Sequence, residues 1–424
     1  MRFIRTHWPL LVITTAVTIY ILASIQRLSP PVIALEIMAD LGLSPDHMSL
    51  MFAMTMISYA VMQPVAGFWA DRFGPRRCLL AAAVVLGLGS IIFSRAEGLV
   101  VGLGIRAVIG AAAGITILSC MKLAMQWFNP DRFGLVSSFI IASAALANFA
   151  VGRPLAMGVN ALGWRGSFFW LGVAGLILAL LAFFIVHDNP PHISEKNAAE
   201  AKGGQKKKSF FKSVAAIAKL PHFWLLGLLY SCTDMPYATI IGLWIGPYLM
   251  EVHGQSEVAV GNMLSISAFG FLIGPPLWMI VANRLRSLSK VVLLVIIANF
   301  LLGLFLVFGP GNLSPPLLYF LTIVAPVGGQ IAGILFILAK NLVPEDLSAS
   351  AMGLLNTFPF VFGAAMQKII GGTLSRAEIL QPGLAARDYY GQAFQPYLIC
   401  MAVGIILALW QLKLEKKEKS SEAG

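Results

Sequence analysis

Charged residues are scarce in this chain of 424 residues: they make up 12% of the sequence, whereas 58% is hydrophobic. Soluble globular domains carry about a quarter charged residues, so too little polar surface remains to cover a water-soluble body of this length. The composition therefore excludes a soluble multidomain enzyme and predicts a polytopic membrane protein. The 40 glycines and 23 prolines agree with that class, since both residues are frequent in transmembrane helices.

Cysteine is also rare. The four cysteines lie in or beside apolar runs, at Cys78, Cys120, Cys232 and Cys400. Their spacing matches neither a metal site nor a disulfide framework, and we expect them to be small packing residues. A Walker A motif is absent, since GGQKKKS (203–209) shares only its composition. We therefore expect no cofactor and no bound metal, and we expect a gradient rather than ATP as the energy source.

Long apolar runs dominate what is present. A membrane helix needs about 20 mostly apolar residues, and no polar–apolar alternation typical of a membrane barrel recurs. We predict an all-α polytopic protein, and we expect the first run to be retained because it is too long for a secretory signal. The twelve predicted transmembrane spans are 8–35, 47–69, 78–94, 98–127, 134–158, 167–186, 222–250, 258–282, 290–309, 315–340, 351–374 and 393–412.

The distribution of lysine and arginine predicts the orientation. If the N-terminus is inside, the predicted outer loops hold only Arg95, Arg165, Arg376 and Arg387, and the inner loops hold most of the remainder. The positive-inside rule then places both termini in the cytoplasm. This topology accounts for the formal net charge of +11 without a nucleic-acid partner, and a cell membrane, the bacterial inner membrane, is the expected location.

The polar segment 187–221 has six predicted spans on each side and predicts two halves. Lys206, Lys207 and Lys208 within it are expected to anchor the segment at anionic lipid, and SFFKSVAAIAKL (209–220) predicts a short surface helix. Pro64 to Arg72 recurs in part as Pro276 to Arg284, half a chain length later. The predicted organisation is an N-terminal six-helix bundle (1–186), a cytoplasmic linker (187–221), a C-terminal six-helix bundle (222–412) and a cytoplasmic tail (413–424). Such duplication is typical of transporters whose substrate site lies between the halves.

Two motifs carry a family resemblance. GFWADRFGPRR (67–77), between spans 2 and 3, is similar to the loop signature of the major facilitator superfamily, and Arg106-x-x-x-Gly110-x-x-x-Gly114 resembles its span 4 motif. The resemblance covers the whole chain and implies a secondary transporter that works by alternating access. It also implies a cytoplasmic gate, formed here by Asp71, Arg72, Arg76 and Arg77.

Further short segments resemble carriers of organic anions. Arg27 stands where the anion:cation symporter branch has an arginine, although Gln26 and Ser29 replace that branch's Asp and Asn. Lys122, five residues before Trp127, replaces a substrate-contacting arginine of that branch. LPHFW (220–224) looks like the oxalate–formate exchanger branch. The resemblance therefore implies a carrier of organic anions without choosing a subfamily.

Charges inside the predicted spans support the same substrate class. Five basic residues, Arg27, Arg106, Lys122, Arg153 and Lys368, lie in spans that contain only one acidic residue at depth, Asp234. Each such charge costs about 2.5–3.5 kcal/mol on insertion scales, and an anionic substrate would neutralise the positive excess. We predict Arg27, Arg106 and Lys122 as substrate-binding residues and Asp234 as the coupling residue, whereas Arg153 and Lys368 are expected to reach outward to the membrane surface.

The sequence thus predicts a secondary active transporter of a small organic anion, a carboxylate or sugar acid, and not an enzyme. Proton-coupled symport and anion exchange both remain open as coupling modes, and a monomer is the expected functional unit. Two alternatives remain. An exporter of amphipathic compounds, of drug or siderophore type, would suit an apolar cavity but not five basic residues. A non-transporting membrane receptor would have no need of the gate signature.

Overall fold

A computed structural model shows a helical chain and describes residues 2–190, 210–329, 331–344 and 347–422, within which no strand is present. The first half contains α1 (Arg2–Leu28), α2 (Pro30–Leu41), α3 (Pro45–Phe73), α4 (Pro75–Phe93), α5 (Leu99–Trp127), α6 (Pro130–Val151) and α7 (Arg153–Ile185). A short helix, α8 (Phe210–Ala218), follows where the amphipathic linker helix is predicted. Lys206, Lys207 and Lys208 lie outside the described residues.

The second half begins with a strongly distorted helical segment. The second half contains α9 (Pro221–Met235), the π-helical α10 (Pro236–Trp244), α11 (Ile245–Glu251), α12 (Glu257–Leu285), α13 (Leu288–Phe308), α14 (Pro315–Gly329), α15 (Ala332–Asn341), α16 (Ser348–Leu355), α17 (Thr357–Leu380) and α18 (Ala386–Glu422). We use 1–186 and 222–412 as the N-terminal and C-terminal halves.

Nine helical stretches of the described chain are long and apolar enough to cross a membrane. One of them, Leu135–Ile185, covers two predicted spans, which are separated by a turn at Gly163. Predicted span 7 consists of three shorter helices, α9 to α11. The predicted all-α polytopic fold is confirmed, and each predicted span falls on a helix, while the count of twelve and the position of the termini stay predictions.

The turn at Gly163 is fixed by the N-terminal half itself. Gly163 has a φ of 68°, in the left-handed region that favours glycine. The next residue, Trp164, donates its backbone N–H to Glu36 at 2.9 Å and its indole N–H to Asp40 at 3.0 Å. Arg165 adds an ion pair to Asp40 at 2.8 Å. The Gly-Trp-Arg segment therefore ties the start of the sixth predicted span to α2.

The first predicted span breaks between α1 and α2. Pro30 has no backbone N–H, and its ring clashes with the carbonyl four residues earlier in a regular helix. That carbonyl, on Gln26, instead accepts hydrogen bonds from Arg106 Nη1 at 2.9 Å and from Ser29 Oγ at 3.0 Å. The break is thus stabilised from inside the N-terminal half, and it places Arg27 at the distorted end of α1.

The seventh predicted span is distorted in a similar way. Pro236 opens the π-helical segment α10, whose wider turns are rare and often occur at functional sites. Asn299 Nδ2 donates to the carbonyls of Cys232 and Thr233, at 3.5 and 3.1 Å. Asp234 therefore lies at a proline-distorted point, just as Arg27 does in the other half.

The two halves meet closely at their predicted outer ends. A Cβ atom on Gly246 of α11 would lie 1.6 Å from the Pro31 carbonyl oxygen of α2, and one on Gly371 of α17 would lie 2.2 Å from Ser49 Oγ of α3. A Cβ on Gly152, between α6 and α7, would lie 2.3 Å from the backbone nitrogen of Ser265. Small residues allow such close backbone approach in membranes. The structure is therefore closed between the halves at these three outer crossings.

Replacement of Gly246 by alanine is expected to separate α11 from α2. The new methyl group needs about 2 Å more room to reach normal contact distance with the Pro31 carbonyl. Spin labels on the outer ends of α2 and α11 are expected to show a longer mean distance. Gly333→Ala is the matched control, because no heavy atom lies within 4 Å of its Cβ position. An unchanged distance distribution in Gly246→Ala would contradict the prediction.

Candidate functional site

Arg27, at the end of α1, lies at the interface of the two halves, where it contacts α3 and α17. Its guanidinium carbon is 4.9 Å from the centre of the Tyr59 ring of α3 and 5.8 Å from that of Phe360 of α17. Those two rings are in contact with each other, at 4.7 Å between centroids. Arg27 is nevertheless partly exposed. Its charge is therefore in contact with aromatic faces from both halves, and part of its side chain is not covered by protein.

Asp234 lies in the C-terminal half, near the end of α9. Its side chain and that of Arg27 are close enough for their charges to interact. Asp234 is partly exposed, and within the described part of the chain no group forms a hydrogen bond with either the Arg27 guanidinium or the Asp234 carboxylate. The site therefore holds two opposite charges with unfilled hydrogen-bonding capacity.

Tyrosine and asparagine side chains surround this pair. Tyr230 and Tyr237 precede and follow Asp234 at helical spacing, so both share its face. Tyr237 donates its hydroxyl to Asn148 Oδ1 of the N-terminal half at 3.0 Å, and Tyr230 donates to Asn356 Oδ1 at 3.3 Å. These hydrogen bonds fix the orientation of two neutral amides and two phenols beside the charges.

Such an arrangement suits a small anion with polar groups. The planar arginine fork binds a carboxylate through two parallel hydrogen bonds, and low-dielectric surroundings strengthen that attraction. Asp234 competes for the same cation, because its opposite charge is near enough to interact with Arg27. A carboxylate that enters the site therefore either displaces Asp234 or requires Asp234 to be neutral.

Arg106, predicted to bind substrate, lies elsewhere. Its side chain is fully buried inside the N-terminal half, and its guanidinium carbon is 4.1 Å from the Phe52 ring and 5.3 Å from the Phe93 ring. Besides its bond to the Gln26 carbonyl, its Nε and Nη2 atoms have no hydrogen-bond partner among the described residues. No solute reaches Arg106 in this conformation, because its surface is covered. Its observed role is to hold the α1–α2 break.

Lys122, also predicted to bind substrate, lies near the predicted inner surface. Its Nζ atom donates to the backbone carbonyl of Ala70, and it lines a cavity of about 480 Å³ with Arg72, Arg76 and Arg77. That cavity is formed by the N-terminal half and Asp188, and Arg27 is not among its lining residues. The structure therefore separates Lys122 from the site between the halves.

Three of the predicted gate residues, Arg72, Arg76 and Arg77, line the same inner cavity. Arg76 contacts its own half and the start of the linker, since its Nη2 donates to the Phe183 carbonyl at 2.7 Å and its backbone N–H donates to Asp188 Oδ1 at 2.8 Å. Arg72 stacks on Phe73 at 5.7 Å, and Arg77 is exposed. The Asp71 side chain lies outside the described part of the structure. The gate assignment of these four residues stays a prediction.

The prediction that Lys368 reaches outward to the membrane surface is wrong. Instead of reaching for the membrane surface, its Nζ forms an ion pair with Asp46 at the start of α3. The Asp46 backbone N–H also donates to Ser375 Oγ of α17 at 3.0 Å. Arg153 is exposed, as expected of a residue that reaches outward. The positive excess counted from the sequence is therefore dispersed over the molecule rather than collected at one substrate site.

The Asp46–Lys368 ion pair joins the halves at their predicted outer ends, so Asp46→Asn is expected to favour separation there. Both side chains are about a third or more exposed, at 34% and 40%, and such pairs contribute about 0–1 kcal/mol. The open population is thus expected to rise by up to about five-fold. Spin-label distances between the outer ends of α3 and α17 measure this change.

Asp40→Asn provides the matched control for Asp46→Asn. Asp40 also pairs with a basic residue near the predicted outer surface, but its partner Arg165 belongs to the same half. Asp40→Asn is therefore expected to leave the distance distribution unchanged. Equal effects of the two substitutions would show that the Asp46–Lys368 pair has no specific role in holding the halves together.

Several residues around Arg27 were not anticipated from the sequence. They are the aromatic and amide side chains Tyr20, Tyr59, Asn148, Asn356 and Phe360, which the structure places near Arg27, Asp234 or their tyrosine neighbours. The two asparagines offered a usable signal, because an amide in an apolar span needs a hydrogen-bond partner. The aromatic residues offered none, since such residues are common throughout the chain.

The sequence of this chain matches a known protein family and several of its members. Residues 12–366 match the profile of the Major Facilitator Superfamily. A probable sulfoacetate transporter of Cupriavidus necator is 22% identical over 271 residues, which are 63% of each chain. The hexuronate transporter of Bacillus subtilis is 31% identical over 236 residues, 55% of this chain and 54% of that protein. The matched region thus spans less than two thirds of either relative.

A solved structure shows the same fold over nearly the whole chain. It is a bacterial homologue of the human lysosomal transporter Spinster in an inward-facing, occupied conformation, with a TM-score of 0.74 and 16% identity. The similarity covers 96% of this chain and 97% of that one. At this identity the likeness concerns the fold alone.

Proposed function

The chain belongs to the Major Facilitator Superfamily, is a multi-pass membrane transporter rather than an enzyme, and, we propose, moves a small organic anion by alternating access. Arg27 is the anchor for a carboxylate or a similar group, and Asp234 is the coupling residue. The N-terminal and C-terminal halves are the two bodies that rock against each other. Proton symport is the proposed coupling mode, with anion exchange as the other mode compatible with one cationic anchor.

One observation supports this proposal: Arg27 and Asp234 belong to different halves, their opposite charges are near enough to interact, and neither charged group forms a hydrogen bond with a described residue. Both lie beside proline distortions of the first and seventh predicted spans. Discontinuous helices in corresponding positions of two repeats are typical of transporter binding sites. Because charge at membrane depth is costly, an accessible pair at this point is better explained by function than by packing.

The relatives support the substrate class. Their names refer to sulfoacetate and hexuronate, which are both organic anions. Both relatives are bacterial, in agreement with the bacterial inner membrane as the proposed location. The closed outer crossings at Gly246, Gly371 and Gly152 support an inward-facing state as the conformation described here.

Reconstituted uptake tests the proposal directly. Proteoliposomes that contain the purified protein are expected to accumulate a small carboxylate when the lumen is alkaline relative to the medium. The same carboxylates are expected to raise the melting temperature of the detergent-solubilised protein. Failure of a panel of mono- and dicarboxylates to be transported or to stabilise the protein would overturn the proposal.

An exporter of amphipathic compounds is the second candidate, because Tyr59 and Phe360 present aromatic faces beside the site. Aromatic faces bind lipophilic cations well, but Arg27 already occupies them and repels a second cation. Stabilisation by lipophilic cations without stabilisation by carboxylates would favour this candidate over the anion carrier.

A further inference from the structure

We propose that the hydroxyl of Ser265 is a wedge that opens the helix of the fifth predicted span when the halves close on the outer side, and that this helix rewinds when the halves part. The inference rests on the alternating access proposed above and adds the hydrogen bonds that are exchanged during it. It comes from a contact between α12 and the junction of α6 with α7.

Ser265 of α12 lies inside an α-helical hydrogen bond of the other half. In a regular helix the backbone N–H of Arg153 would donate to the carbonyl of Phe149, four residues earlier. The Arg153 N–H donates instead to Ser265 Oγ at 2.7 Å, and Ser265 Oγ donates to the Phe149 carbonyl at 2.9 Å. One hydroxyl from the C-terminal half therefore separates a donor from its helical acceptor and satisfies both.

The helix is opened at one backbone torsion angle, the ψ angle of Gly152. Its φ of −69° is helical, but its ψ of −115° lies about 70° from the value in a regular α-helix. Pro154 makes this opening less costly, because proline has no N–H and its ring already blocks helical bonding to the carbonyl of Ala150. Rotation about one bond of a glycine is therefore enough to bring the Arg153 N–H and the Phe149 carbonyl back together.

The wedge reaches this opening only while the two halves are in contact. Ser265 is 4% exposed, and a Cβ atom on Gly152 would lie 2.3 Å from both its backbone nitrogen and its Oγ. On the neighbouring turn of α12, a Cβ on Gly261 would lie 2.5 Å from the Cβ of Ala156. The hydroxyl thus enters at a crossing where two backbones touch, and separation of the halves at this crossing withdraws it.

Each polar group has a partner with the wedge in place or withdrawn. When the halves part, the Arg153 N–H and the Phe149 carbonyl bond to each other. The Ser265 hydroxyl then bonds to the carbonyl of Gly261, one turn earlier in its own helix, as serines in helices commonly do. Ser267 of the same helix already donates to a carbonyl of its own helix. Because neither form leaves a buried group without a hydrogen bond, the two forms differ little in free energy.

The opening also affects the proposed site, through Asn148. Its Oδ1 atom accepts from the hydroxyl of Tyr237 in the C-terminal half at 3.0 Å, and its Nδ2 atom donates to the Ala144 carbonyl of its own helix at 2.9 Å. The α6–α7 junction therefore contacts the C-terminal half at both Ser265 and Tyr237. Rotation at Gly152 turns α6 relative to α7, so closure of the outer crossing and formation of the Asn148–Tyr237 bond occur together.

Two substitutions with opposite expected effects test the inference. In Ser265→Ala the closed crossing leaves the Arg153 N–H and the Phe149 carbonyl without partners, whereas the rewound helix keeps their direct bond. The outer-open population is therefore expected to rise about ten-fold. Arg153→Pro prevents rewinding, because it removes the N–H and its ring clashes with the Phe149 carbonyl in a continuous helix. The outer-open population and uptake are then both expected to fall by at least about ten-fold.

Spin labels at the predicted outer ends of α12 and of the fifth span measure these populations in the full-length protein in lipid nanodiscs without substrate. Ser267→Ala is the control for Ser265→Ala, since Ser267 lies in the same helix and is also 4% exposed but bonds within that helix. Arg153→Ala is the control for Arg153→Pro, since it removes the same side chain and retains the N–H. Both controls are expected to give the wild-type distances.

Opposite shifts in Ser265→Ala and Arg153→Pro, with both controls unchanged, support the inference. Equal distances in Ser265→Ala and Ser267→Ala overturn it, and this comparison decides alone if Arg153→Pro does not fold. A folded Arg153→Pro protein with the distances and uptake of Arg153→Ala also overturns it, because the helix then does not rewind. Since the distances are read without substrate, either result leaves the anion carrier intact, whereas failure of the carboxylate panel overturns the proposed substrate and not the wedge.

Discussion

Arg27→Ala is expected to abolish uptake, and Arg27→Lys is expected to lose most of it. Alanine removes the cation that we propose as the anchor for the carboxylate. Lysine retains the charge but not the planar fork that binds a carboxylate through two parallel hydrogen bonds. The loss of one charge-assisted hydrogen bond corresponds to about 10- to 150-fold in affinity. Uptake by proteoliposomes and ligand-induced shifts in melting temperature both measure the effect.

Arg153→Ala is the control for the Arg27 variants. Arg153 also lies in a predicted span, but its side chain is exposed, so its removal is expected to leave uptake near the wild-type level. Arg106→Met tests a residue with a structural role. Because Arg106 stabilises the break between α1 and α2, its replacement is expected to lower the melting temperature without changing ligand selectivity. Near-normal uptake by Arg27→Ala would show that Arg27 does not bind the substrate.

The fold was predictable because its signal is local. Apolar runs about 20 residues long directly predict helices that lie in a membrane, and the partial repeat of the Pro64–Arg72 segment near Pro276 predicts a duplication. Arg27 and Asp234 were predictable for a related reason. A charge at membrane depth is costly wherever the rest of the chain lies, so each of the two residues is predicted to have a functional role or a partner from its sequence position alone.

The partners of the other charges were not predictable, because they depend on packing between distant segments. Lys368 pairs with Asp46, which is 322 positions away in sequence, and no spacing rule connects the two. Arg106 was counted with the substrate site, yet the rings of Phe52, Phe93 and Phe168 enclose it. A count of charges therefore predicts an anionic substrate, but it does not tell which of the cations lie close to one another.

The proline distortions connect sequence to mechanism more directly than the charges do. Pro30 and Pro236 both remove a backbone donor, and in both cases a side chain from another helix bonds to carbonyls released nearby: Arg106 in one half and Asn299 in the other. Each distortion lies within three residues of the charged residue that the proposed function uses. The proposed site thus lies beside proline distortions in two helices that correspond to each other in the predicted duplication, as is typical of transporter binding sites.

Asp234→Asn is expected to abolish accumulation driven by a pH difference and to preserve exchange of internal for external substrate. Asparagine has the shape of the protonated carboxyl group and carries no charge. It therefore permits the loaded states, which exchange requires, but it cannot take up and release a proton. Its neutral side chain also leaves Arg27 uncompensated when the site is empty, so the return of the empty carrier is expected to slow.

Two assays on the same vesicles separate proton coupling from a structural role for Asp234. If Asp234 served only to balance Arg27, exchange and accumulation would fall together and the melting temperature would drop, because a charge would be left without its partner. Asp388→Asn, an exposed carboxylate at the start of α18, is the control and is expected to change neither assay. Accumulation against a gradient by Asp234→Asn would exclude this residue as the proton carrier. The proton would then travel on the substrate itself, or anion exchange would replace symport as the coupling mode.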